Sequence, residues 1–230
     1  MSFYRFTNIS MARGVLLKIV NKEYKNEYQQ YEQEPTLRKQ IQSLGFQLID
    51  NPLTNKVTLN KEFPTAKISI EFRGTPPPLQ AKIKNPQEDE SITQNPKYQD
   101  KIKKQVEERK EELELGTLSV DYTVLIETEK GEAIAFECNT SDQSTIINYV
   151  QPVYDIREYK TRSKYRKFLA DYPGPEINKL DEQLQQSIYT YLESYGINES
   201  LNALIEAYSI DKEQRQYMEF LKSIENFLSV

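Results

Sequence analysis

The sequence predicts an α+β domain, a seven-stranded antiparallel meander with helices at both ends, and three stretches carry that prediction. Ala66, Ile68, Ile70 and Phe72 alternate with Lys67, Ser69, Glu71 and Arg73, the two-residue period of a strand with one buried face. Leu118, Val120, Tyr122, Val124 and Ile126 repeat that period. The turn Glu129-Lys130-Gly131-Glu132 then leads directly into Ala133 to Cys138, which makes an antiparallel hairpin. From Pro175 to Val230 the apolar residues fall instead at three-and-four spacing. An amphipathic helix cannot bury its stripe alone, so these helices must lie on the sheet or on each other.

In chain order, residues 1–22 hold four cations (Arg5, Arg13, Lys18 and Lys22) and no acid before Glu23, interspersed with Phe3, Phe6, Ile9, Leu16, Leu17 and Val20. That composition suits a mitochondrial targeting segment, or a basic N-terminal helix of the mature protein. Residues 23–230 read as a single α+β domain. Pro35 interrupts or restarts a helix whose second half carries Leu37, Ile41 and Leu44, and Gly45 closes it. Strands follow at Phe46 to Asp50, through Val57 and Leu59, and at Ala66 to Arg73. Gly74 and Pro76-Pro77-Pro78 end the third. The stretch from Thr75 to Leu115 has no strand pattern and contains Pro86, Pro96 and the charged run Lys101 to Glu114. It reads as a long polar insertion, with an exposed or partner-bound helix inside it. Beyond the hairpin, a strand from Thr145 to about Ile156 and a short one from Tyr165 to Tyr172 complete the meander.

Three C-terminal helices are expected. Leu180, Leu184, Ile188, Tyr191, Leu192 and Tyr195 mark the first, ended by Gly196. Asn198 caps a short second with Leu201, Leu204, Ile205 and Tyr208, and Asp211 with Gln214 resembles a capping box that opens a third. On the third, Tyr217, Phe220, Leu221, Ile224, Phe227 and Leu228 form one face with Glu219, Lys222 and Glu225 turned to water. The expected structural core therefore includes Leu184, Ile188, Phe220, Leu221, Ile224, Phe227, Phe136 and Cys138, and Phe220→Asp should be strongly destabilising.

Composition narrows the chemistry. The 230 residues include no histidine and one cysteine, which leaves no conventional zinc, haem or triad constellation and no internal disulfide. The seven glycines form no phosphate-binding or nucleophile-elbow motif, and Glu88-Asp89-Glu90 read as solvated loop charge. Catalytic, cofactor-binding and metal residues are accordingly assigned to none. Cys138 shares a strand face with Ile134 and Phe136 and reads as a small buried hydrophobe rather than a reactive thiol. No apolar run is long enough to cross a membrane, so membrane contact is expected only at the periphery or through partners.

Charge is unevenly placed. From Asp171 to Val230 eleven acids face four bases, whereas Arg157, Lys160, Arg162, Lys164, Arg166 and Lys167 crowd a short stretch beside Tyr159 and Tyr165. Those six, with Lys101, Lys103 and Lys104 of the insertion, are the candidate partner-binding residues. The density suits a phosphate backbone, an anionic lipid surface, or the acidic helices of a neighbouring subunit.

Three stretches resemble the mitochondrial glycoprotein family, the acidic ring-forming matrix proteins that include the receptor for the globular heads of a complement component. They are Asp121 to Glu127 with Lys130-Gly131 and Phe136-Glu137-Cys138; Tyr172 to Glu176 with Leu180 to Gln185; and Tyr191-Leu192-Glu193 with Gly196-Ile197, Lys212-Glu213, Tyr217, Phe220-Leu221 and Phe227. The resemblance implies a strongly twisted sheet flanked by helices, with three subunits closed into a ring, homomeric or shared with paralogues. It also implies a non-catalytic matrix location, with links to mitochondrial translation and oxidative phosphorylation, and binding of proteins and RNA. The chain departs from the family's strong acidity, at a net charge of only −5, with Lys82, Lys84, Lys97, Lys101, Lys103 and Lys104 where acids are expected.

The function expected from these readings is a scaffold or assembly protein, an accessory subunit of a large respiratory-chain assembly. Hydrophilic arms such as the insertion bury too little apolar surface to offset about 1–2 kcal/mol of backbone entropy per residue, so they stay mobile unless a partner ties them down, and docking to a larger assembly is the expectation. The alternatives are an RNA- or ribosome-binding accessory of mitochondrial translation and a free matrix chaperone.

Overall fold

The computed structural model describes residues 3–31, 35–75, 118–161, 172 and 174–229. Helices α1 (Phe3–Gln30) and α2 (Pro35–Ser43) lead into strands β1 (Gln47–Asp50), β2 (Lys56–Glu62), β3 (Ala66–Arg73), β4 (Asp121–Thr128), β5 (Ala133–Ser141) and β6 (Ser144–Val153). A short α3 (Ile156–Thr161), a 3₁₀ turn (Ile177–Lys179), α4 (Glu182–Ser194) and the long α5 (Glu199–Ser229) follow.

The strands pair antiparallel in sequence order, so among the described residues the sheet is a meander of six strands where seven were expected. The seventh, expected at Tyr165 to Tyr172, lies outside the described residues except for Tyr172, which is in no strand. After β6 the chain turns away because the Asp155 carboxylate accepts the Glu158 amide at 2.8 Å and starts α3. Only one bridge, Tyr149 to Glu176, returns to that edge among the described residues. It follows Gly174, which is left-handed and sits so close to the Val150 carbonyl that a Cβ would lie 2.2 Å from its oxygen.

One face of the sheet carries the core. Val57, Leu59, Ile68, Ile70, Phe72, Tyr122, Val124, Ile126, Phe136, Cys138 and Ile147 are buried against Leu37 and Ile41 of α2, Leu192 of α4, and Leu201, Ile205 and Tyr208 of α5. The opposite face carries Thr58, Ser69, Glu71, Thr123 and Glu137, the exposed Ile49 and Ile146, and a patch of Leu125, Ala133, Ala135 and Val153 that Tyr159 of α3 covers.

The C-terminal region corrects the expected helix count. Asn198 does cap a helix, its side-chain oxygen accepting the Leu201 amide at 3.1 Å. That helix runs unbroken to Ser229, because no glycine or proline separates Tyr208 from Asp211. Asp211 lies inside it, its carboxylate taken by Arg215 one turn on at 2.8 Å and by the Tyr31 hydroxyl at 2.8 Å. The two apolar faces read as separate helices are thus two halves of one helix with different partners. Leu201, Ile205, Tyr208 and Lys212 face the sheet, and Leu221 and Leu228 face Val20, Leu17 and Tyr24 of α1.

The change of partner also corrects three expected core residues. Phe220 and Phe227 are 57% and 79% exposed, because α1 covers only the arc of Tyr217, Leu221, Ile224 and Leu228. Leu184 is 47% exposed, since α4 meets the core through Ile188, Tyr189, Leu192 and Tyr195, later in the helix. Leu221, Phe136 and Cys138 are buried, and Ile188 and Ile224 are half-buried against their clusters. Burial first, and then the neighbouring Glu137 charge, push the Cys138 thiol well above its ordinary range, so it stays protonated.

Candidate interaction surfaces

Two of the nine candidate partner-binding residues, Arg157 and Lys160, lie on α3; Arg162, Lys164, Arg166, Lys167, Lys101, Lys103 and Lys104 fall outside the described residues. Helix α3 is held on the sheet face opposite the core by Tyr159, whose ring is buried and whose hydroxyl donates to Glu137 Oε1 at 3.4 Å. Thr123 donates to the other oxygen of that carboxylate at 3.0 Å. Tyr159 therefore serves as an anchor and offers no exposed ring for stacking a base. Lys160 already meets Glu127 at 3.4 Å.

Beside α3 opens a cleft of about 420 Å³, lined by Asn60, Lys61, Glu62, Lys67, Leu125, Glu127 and Lys160 among others. Its lysines are largely spoken for: Lys67 meets Glu62 at 3.1 Å, Lys160 meets Glu127, and Lys61 donates to the Leu44 carbonyl at 2.9 Å. Lys61 is the most instructive of them. Its ammonium lies 5.1 Å from the ring centres of both Phe46 and Phe63, and it stands beside the two left-handed glycines, Gly45 and Gly196, that end α2 and α4. One cation thus answers the partial negative charge of two helix C-termini and the faces of two rings. Lys61→Met is expected to cost about 1–2 kcal/mol in urea unfolding, an effect larger than an ordinary surface lysine gives.

A second charged cluster is buried. Asp50, at the end of β1, is only 1% exposed at its side chain and accepts from Lys212 at 2.7 Å, Tyr208 at 2.7 Å, Arg215 at 2.9 Å and Arg38 at 3.1 Å. Lys212, fully buried, also donates to the Asn51 carbonyl at 2.8 Å. Burial raises the Asp50 pKa, but the hydrogen bonds from Lys212 and Tyr208 and the charges of Arg215 and Lys212 together outweigh it and hold the carboxyl below its usual range. From Arg215 the chain of contacts passes to Asp211 and on to Tyr31, whose hydroxyl is pushed up to about 12 by burial and by Asp211. The cluster joins β1, α2, α5 and the end of α1 at the point where α5 leaves the sheet for α1.

A buried polar group of a different kind fixes the start of α5. The Tyr122 hydroxyl bonds Asn202 at 3.1 Å and Thr145 at 3.0 Å, while Asn202 donates to the Gln143 carbonyl at 2.7 Å and to Thr145 at 2.8 Å. Asp142 and Gln143 both have positive φ, and the Asn202 amide supports that strained turn between β5 and β6.

The pair formed by α1 and the second half of α5 presents an exposed apolar surface. Arg13 donates to the Leu228 carbonyl at 2.7 Å and Tyr31 meets Asp211, which sets the two helices antiparallel and in register. Ile9 (66%) and Leu16 (46%) on α1, with Phe220 and Phe227 on α5, are exposed. By helical spacing they line the same side of the pair. Sequence periodicity revealed the apolar arc of α5 but not which part of it α1 would cover. The cluster around Asp50 was missed, although one signal pointed to it: Lys212 lies four residues after Tyr208 on the stripe of Leu201 and Ile205.

Among the described residues no group of three or more His, Cys, Asp or Glu side chains is arranged to hold a metal ion, and no helix is long and apolar enough to cross a membrane.

Comparison with known proteins places this architecture. The model of the mitochondrial glycoprotein family matches residues 20–228. The mitochondrial acidic protein mam33 of Schizosaccharomyces pombe is 30% identical over 115 residues, 46% of this chain, and the match spans 40% of that relative's length. Two solved structures share the fold. A Leishmania major protein of unknown function, described as a sequence homologue of human p32, superposes with a TM-score of 0.67 at 18% identity, over 94% of this chain and 99% of its own. The Trypanosoma brucei p22 protein superposes with a TM-score of 0.63 at 21% identity, over 95% and 99%. With the family model matched from the middle of α1 to the end of α5, the chain belongs to the mitochondrial glycoprotein family.

Proposed function

We propose that this protein is a non-catalytic, oligomeric scaffold of the mitochondrial matrix, built as a trimer and serving as an accessory subunit of a large respiratory-chain assembly. The observation that carries this reading is the ridge of Ile9, Leu16, Phe220 and Phe227, an exposed apolar face beside the seam where the two helices pack on each other. Contiguous apolar surface of this kind is the ordinary mark of a protein contact. Family membership supports the trimer and the compartment. The charged groups described above support the scaffold reading, since they are committed to pairs that hold elements together.

Sedimentation equilibrium tests the first step. The expected mass is that of three chains, and a 27 kDa species at micromolar concentration removes the oligomer. Gradient fractionation of mitochondria opened in mild detergent tests the second, with co-migration in a large respiratory particle expected. Migration only as a free particle of three subunits replaces the subunit reading with that of a free matrix chaperone. Co-migration with ribosomal particles, released steeply by salt, replaces it with RNA binding.

A further inference from the structure

We propose that the outward face of α1 lays the protein against an anionic phospholipid surface. Met11, Val15 and Ile19 stand at i, i+4 and i+8 and are 70%, 58% and 46% exposed. They line the side of α1 turned away from Arg13, Leu17, Val20 and Tyr24, which meet α5. Lys18 and Lys22, one turn apart and both exposed, stand along the same face. Residues 1–22 contain cations and no acid.

Aliphatic side chains interleaved with lysines on a solvent-facing helix match the boundary between headgroups and acyl chains. There the apolar residues enter the acyl region while the lysine stems lie flat and their ammonium groups reach phosphates. A second copy of this chain fits the face less well. Symmetric contact would set the like charges of Lys18 and Lys22 towards their own copies. The helix is not apolar enough to cross a bilayer, so the contact is one of lying on it. The stripe precedes the stretch shared with the family, which begins at residue 20. It also uses different residues from the ridge of Ile9, Leu16, Phe220 and Phe227, so lipid contact and self-association do not compete for side chains.

The test is flotation of the full-length protein with phosphatidylcholine vesicles, with and without about one third phosphatidylglycerol, at low and physiological salt. The protein should float with the anionic vesicles only, and less at higher salt. Lys18→Gln/Lys22→Gln should partition roughly thirtyfold more weakly, from the loss of two lysines at the surface. Val15→Asn/Ile19→Asn should abolish flotation, with both double variants melting and sedimenting as wild type. The inference is overturned if the protein does not float, if it floats equally with both lipids, or if either double variant binds as wild type. It is overturned as well if Val15→Asn/Ile19→Asn changes the mass of the particle, because the stripe is then a contact between copies. A monomer that floats upholds this inference while removing the proposed trimer, so the two failures are told apart.

Discussion

Asp50→Ala is expected to lower the stability of the protein by about 3–5 kcal/mol in urea unfolding, the largest single effect outside the apolar core. The carboxylate is the shared acceptor of Lys212, Tyr208, Arg215 and Arg38. Removing it leaves the Lys212 ammonium fully buried with only the Asn51 carbonyl and no counter-charge. Arg38 is half exposed and contributes little, while Arg215 keeps Asp211. The loss should therefore come mainly from Lys212, which a double substitution checks. Asp50→Ala/Lys212→Met should be more stable than Asp50→Ala, because the stranded charge has gone. If the double variant is less stable than the single one, the cluster does not work as a charge pair.

The same cluster sets a pH dependence. The Asp50 pKa is lower in the folded protein than its unfolded value of about 3.9, so the native state binds fewer protons at this site than the unfolded state. Its contribution is fully present above the unfolded value and is lost as pH falls through the lower folded value. The stability difference between wild type and Asp50→Asn should accordingly be constant near neutrality and shrink below about pH 4. Constancy down to complete acid unfolding would show that the carboxyl is not held ionised.

The elements most legible in the sequence were those whose signal is local. Strand β3 and the hairpin of β4 and β5 announce themselves through alternation and a Gly131 turn, and Gly45 and Gly196 mark helix ends by the left-handed conformation they adopt. Relations between distant residues were not legible. Asp50 and Lys212 are 162 residues apart, and Asp50 read as the last residue of a strand before an Asn-Pro turn. Lys61 gave no signal either, since its role depends on α2 and α4 ending at the same place. The division of α5 failed for a different reason. A stripe that drifts around a long helix looks like two stripes when each half is read alone, and the Asp211-to-Gln214 spacing that resembles a cap also suits the interior of a helix, where Arg215 takes the aspartate.

The drift of that stripe leads to the second large effect, a contrast between neighbouring residues. Leu221 is 5% exposed in the cluster with Val20 and Leu228, so Leu221→Ala should cost about 2–5 kcal/mol and loosen α1 from α5. Phe220, one residue earlier, is 57% exposed and stacks along its own helix on Tyr217, with ring centres 6.3 Å apart. Phe220→Asp buries no charge within one chain and should leave the melting of dilute protein within about 0.5 kcal/mol of wild type. At higher concentration the outcome should differ. A ridge that is the contact between copies is buried in the particle, and a carboxylate placed there is desolvated without a partner. Phe220→Asp should then sediment as a lighter species, and lose the part of its apparent stability that depends on concentration, while Leu221→Ala loses stability at every concentration. Should Phe220→Asp keep the wild-type mass, the ridge is not the contact between copies, and the surface that assembles this protein lies elsewhere on the chain.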